Sequence, residues 1–145
     1  MGINARSAGQ SIAIGTNANN SGGTPDTIGA STITIGNNAN AAAARAVALG
    51  NDTVASGLAA IAHGPAAVAE GQSSVVIGDS AINRRATGVT AYPEADQVVA
   101  IGTSSNVNSL CGMAIGSTAK TTGVYGTALG IGSVNNTNFG VALGA

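Results

Sequence analysis

Ala46-Val47-Ala48-Leu49-Gly50 is followed fourteen residues later by Ala60-Ile61-Ala62-His63-Gly64, and fourteen after that by Ser74-Val75-Val76-Ile77-Gly78. Each block holds three alternating residues closed by a glycine. Working outward, the closing glycine recurs at Gly15, Gly36, Gly50, Gly64, Gly78, Gly102, Gly116, Gly130 and Gly144, and six of the eight intervals are 14 residues. The other two, 21 and 24, are one period plus 7 and one period plus 10. A short fixed period along a whole chain is the mark of a solenoid, in which each repeat is one coil stacked on the next.

Let the closing glycine be position 14. Position 11 then reads Ile12, Ile33, Val47, Ile61, Val75, Val99, Met113, Thr127 and Val141, and position 13 reads Ile14, Ile35, Leu49, His63, Ile77, Ile101, Ile115, Leu129 and Leu143. Between them, position 12 is alanine in seven coils, with Thr34 and Val76 in the others. Large–small–large alternation predicts a strand with two different faces. Position 3 is small again, from Ala18 to Ser133, and predicts a return strand. Gly57, Gly71 and Gly123 at position 7 mark the second turn, where glycine suits backbone angles that other residues resist. A fourteen-residue coil leaves room for two strands of about five residues and two tight turns.

Such a coil is too narrow for bulky side chains between its walls. The small residues at positions 3 and 12 fit inside, and the rows at positions 11 and 13 must point out. The fold class expected is therefore all-β, a parallel β-roll (β-solenoid) of about nine coils, forming one domain over residues 1–145. Nine coils at the strand spacing make an apolar stripe roughly 40 Å long. A stripe of that size does not stay in water on a monomer, and closed cyclic symmetry covers it with further copies of the chain. Every residue of the two rows except Thr127 is assigned to that interface between copies. Spacing alone leaves the number of copies open between two and three.

Composition narrows the function. Charged residues make up 8 % of the chain, the net charge is −1, and the three aromatics are Tyr92, Tyr125 and Phe139. No basic patch is available for phosphates, so nucleic acid is a poor partner. No apolar run is long enough to span a bilayer, and none near Met1 resembles a signal peptide. The single histidine lies in a packing row, which disfavours a Ser-His-Asp arrangement, and Glu94 with Asp96 is a weak carboxylate pair. A non-enzymatic protein without a cofactor is expected.

Ser11-Ile12-Ala13-Ile14-Gly15, Ala46-Val47-Ala48-Leu49-Gly50 and Gly112-Met113-Ala114-Ile115-Gly116 resemble the head repeats of YadA-type trimeric autotransporter adhesins. The resemblance implies a left-handed parallel β-roll and a homotrimer packed through the Val/Ile rows. It also implies a bacterial outer-surface location and binding to host matrix proteins such as collagen.

The period breaks near residues 20–30 and 86–95, and insertions in a solenoid loop outward, often on a binding face. Arg84, Arg85, Tyr92 and Asp26 are the candidate partner contacts there, against the plainer reading of solvated loops. His63 could gather in three copies as a metal or anion site, but a hydrated polar spot in the row is the reading preferred, so no metal is assigned. Cys111, Tyr125 and Phe139 share position 9 of successive coils and are expected to stack and seal the C-terminal end. Two roles fit a rigid trimer. One is a virion surface component, a bacteriophage cement, decoration or fibre protein, suggested by the lack of export and anchoring segments. The alternative is the head of a surface adhesin, as the resemblance implies.

Overall fold

The computed structural model describes residues 2–7, 9–20, 31–84 and 97–144. Within them the chain winds into two parallel sheets back to back. The front sheet has nine strands: Ile12–Ile14, Ile33–Ile35, Val47–Leu49, Ile61–His63, Val75–Ile77, Val99–Ile101, Met113–Ile115, Thr127–Leu129 and Val141–Leu143. The back sheet has seven: Asn40–Ala41, Val54–Ala55, Val68–Ala69, Ile82–Asn83, Asn106–Val107, Lys120–Thr121 and Val134–Asn135. No helix occurs among the described residues. Nine coils were expected, and nine front strands are present, but only seven turns carry both strands. At the N-terminal end the back wall is reduced to isolated bridges from Asn19 to Arg6 and Asn40.

Register is kept throughout. Ile33 pairs with Val47, Val47 with Ile61 and Ile61 with Val75, so each outward row is a straight column. Both long intervals preserve it, because Ile12 pairs with Ile33, and Val75 with Val99. The strands are three and two residues long rather than about five. The reason is a bend every seven residues. Positions 2 and 9 take left-handed backbone angles, with φ of 54° at Asp52 and 55° at Ala59 in one coil. Their amides pair with the preceding coil: Asp52 N–H donates to Asn37 O at 2.8 Å and Ala59 N–H to Ala44 O at 2.9 Å. The turns therefore belong to the inter-coil ladder, which offsets the unfavourable φ.

The lumen is as narrow as the spacing requires. Ala48, Ala62, Ala100, Ala114 and Ala128 at position 12 are fully buried, as are Ala39, Ala67, Ala81 and Ala119 at position 3. The bulkiest fully enclosed side chains are Val76, Val98, Val107 and Asn83. Positions 5 and 10 point inward as well, shown by Ala41, Ala55, Ala46 and Ala60. An alanine methyl contributes about 0.8 kcal/mol on burial, so cohesion rests heavily on backbone ladders between coils.

The closing glycines have two reasons to be glycine. Their φ lies between 121° and 141° wherever another coil follows, and a Cβ at Gly36 would meet the Gly50 carbonyl oxygen at 2.0 Å. The second-turn glycines differ from expectation. Gly57 and Gly123 do not adopt positive φ; their reason is steric, since a Cβ would lie 2.0 Å from Gly71 O or 1.9 Å from Thr137 O.

Where the back wall is interrupted or ends, position 5 carries a buried asparagine: Asn20, Asn83 and Asn135. Asn83 Oδ1 accepts from Gly71 N–H at 2.8 Å while its Nδ2 donates to Val107 O at 3.3 Å, joining coils on either side of the longer insertion. Elsewhere such backbone groups pair with backbone, as Gly57 N–H does with Ala69 O. Asn83→Ala should leave Gly71 N–H and Val107 C=O buried and unpaired, at about 1–3 kcal/mol each. The expected drop in melting midpoint is about 5–10 °C by calorimetry. A change within a degree or two would show that both groups have other partners.

Candidate intersubunit face and partner-binding surface

The front sheet presents its two rows outward, as the narrow coil demands. Both outer residues of every triplet are exposed or half-buried, while the residue between them is buried in each coil except the first and last. Ile77, in mid-roll, is 37 % exposed, and Leu143, on the open last coil, is 73 % exposed. Across the 18 positions, 16 are apolar, Thr127 is neutral, and His63 is the one ionisable group. The result is a flat apolar ribbon without formal charge when the imidazole is neutral.

The edge beside position 13 carries a polar ladder. Asn4 Nδ2 donates to Asn17 Oδ1 at 3.2 Å, Asn17 Nδ2 to Asn38 Oδ1 at 3.0 Å, and Asn38 Nδ2 to Asp52 Oδ1 at 2.9 Å. Asn51 Nδ2 reaches the other oxygen of Asp52 at 2.6 Å. Asn and Asp tolerate left-handed angles better than most residues, which suits them to this column.

The opposite edge carries the position-9 column. Tyr125 and Phe139 do stack, with ring centroids 5.2 Å apart and planes 15° from parallel. They seal nothing: Tyr125 is 50 % and Phe139 76 % exposed, because both sit at the tip of the second turn with φ of 55° and 57°. Cys111, in the same column, is half-buried.

Of the candidate partner contacts, Arg84 is exposed just beyond the back strand Ile82–Asn83, on the wall away from the apolar ribbon. Arg85, Tyr92 and Asp26, and nearly all of both insertions, lie outside the described residues. Among the described residues, only Arg84 of these four is placed, and no binding constellation is assembled. Among the described residues no group of three or more His, Cys, Asp and Glu could hold a metal ion. No described helix is long and apolar enough to cross a membrane. Sequence reading missed the outward row of the back sheet, where Val54, Val68 and Ile82 stand in register and half-buried. Its signal was available at position 4, but Asn40, Asn106 and Lys120 in the same row dilute it.

The chain is thus a parallel roll with fourteen-residue coils, an alanine lumen and an outward Val/Ile ribbon. The family model of the YadA head domain repeat matches this chain over residues 28–53, 55–81 and 112–133, a little over half of its length. The chain belongs to the YadA head family. The matched segments of this YadA head cover six of the nine front strands, from Ile33–Ile35 to Val75–Ile77 and again at Met113–Ile115 and Thr127–Leu129. No curated protein matches the chain.

Proposed function

We propose that this chain is the head of a trimeric surface adhesin of the autotransporter type, non-enzymatic, with three rolls packed through their front sheets. The observation that carries the reading is the uncharged apolar ribbon running the length of a YadA head roll. An apolar patch of that extent on a soluble chain marks an interaction surface, and a second copy offers the same ribbon in the same register. The back sheet then faces outward, on the bacterial surface, toward a partner such as a host matrix protein. The virion reading, in which the chain is a cement, decoration or fibre protein, rests on no feature of the fold or of the family match, and the adhesin reading replaces it.

Sedimentation of the purified chain tests the assembly, and the expected mass is about three times that of one chain. Binding of that trimer to immobilised collagen tests the role. Arg84→Ala, and Arg85 and Tyr92 changed likewise, should leave the mass unchanged and lower binding several-fold. A monomer removes the assembly reading, and a trimer that binds no matrix protein removes the adhesin reading.

A further inference from the structure

At position 13 the repeat uses Ile or Leu in eight coils and histidine in one. His63 is exposed on the single chain, with Leu49 and Ile77 as its register partners in the adjoining coils. Neither neighbouring front strand, Val47–Leu49 or Val75–Ile77, carries an ionisable side chain. The facing back strands, Val54–Ala55 and Val68–Ala69, carry none either. In the coils around His63, charges occur only in the turns. Asp52 and Asp79 lie on the edge beside position 13, one coil to either side, and Arg45 and Glu70 lie by the opposite turn. Asp52 is held by Asn38 and Asn51, and Asp79 accepts from Ser80 Oγ at 2.8 Å.

Resting on the trimer reading above, we infer that His63 makes association of the three copies acid-sensitive. The imidazole is the one group of the ribbon that can gain a charge between neutral and mildly acidic pH. Covering the ribbon strips water from it and supplies aliphatic neighbours, which penalises the charged form and spares the neutral one. Symmetry triples the effect. A copy that carries the proton in solution must release it to assemble. Assembly is therefore favoured as pH rises and weakened as pH falls. With one proton released per copy, the association constant changes by up to about a thousandfold per pH unit.

The test compares the full chain with His63→Leu by sedimentation over a dilution series at pH 7.5 and pH 5.0, with melting midpoint as a second readout. Both proteins should be trimers at pH 7.5, with His63→Leu at least as tight. At pH 5.0 the concentration for half-dissociation should rise by about a hundredfold or more in the native chain and by less than about threefold in the variant. Where dilution does not reach dissociation, acid should lower the melting midpoint of the native trimer and not that of the variant. An acid response equal in both proteins, or absent from the native chain, overturns the inference and leaves the trimer standing. Monomers at pH 7.5 overturn the trimer reading and this inference with it.

Discussion

Gly64→Ala should lower the melting midpoint by about 10 °C or more, the largest stability loss expected from removing no interaction at all. Gly64 has φ of 133°, and a Cβ there would lie 2.4 Å from the Gly78 carbonyl oxygen and 2.6 Å from its carbonyl carbon. The obstruction is backbone of the next coil, which is held by Gly78 N–H to His63 O at 2.8 Å and cannot rotate aside. Relief requires either a different φ, which breaks the turn, or separation of two coils, which breaks their ladder. Together these cost about 4 kcal/mol or more. Gly132→Ala is the matched comparison. Gly132 has φ of 69° with only Thr118 Oγ1 at 4.0 Å, and the same place in another coil is filled by Ala66 at φ of 54°. That change should stay within about 1 kcal/mol. Equal losses from the two variants would contradict the close-approach argument.

Ile77→Asp should abolish the proposed trimer. On the single chain Ile77 is partly in water, so an aspartate there harms the isolated roll little. In the assembly it would place three carboxylates among Val and Ile side chains, and breaking an apolar contact with an unpaired buried charge costs about 3–5 kcal/mol per site. The expected outcome at micromolar concentration is monomer or aggregate by sedimentation. Ile101→Asp, one coil along the same column, should behave alike. Ser56→Asp, on an exposed position after the back strand Val54–Ala55, should leave the trimer intact. An Ile77→Asp protein that remained a trimer of native stability would move the interface elsewhere.

Much of this architecture was legible because a coil of fixed length forces side-chain size to report position. Alanine at position 12 between Val47 and Leu49 could only be lumen, and its flanking residues could only be outside. Strand length was not legible. Left-handed angles at positions 2 and 9 shorten the strands, and they fall on Asn17 and Asp52 but equally on Ala66, Cys111 and Phe139. The inter-coil ladder imposes those angles, so residue type does not announce them. The inward asparagines were visible in principle. Asn20 and Asn83 each stand at position 5 just before an anomalous interval, in a row otherwise filled by Ala, Val and Thr apart from Asn135. The number of copies is not encoded in any spacing, because a flat apolar ribbon says that it is covered and not by how many. The partner contacts were the least legible, since insertions follow no period; of the four residues named, the structure describes Arg84 alone.

Both insertions leave the coil at the same point, after position 5 or 6 of the back wall, and the chain resumes with the front columns undisturbed. Extra length is thereby added without shifting the register of the outward rows. A lineage could lengthen, shorten or exchange these segments while the front columns stayed aligned. Change in the inserted segments is uncoupled from change in the apolar face.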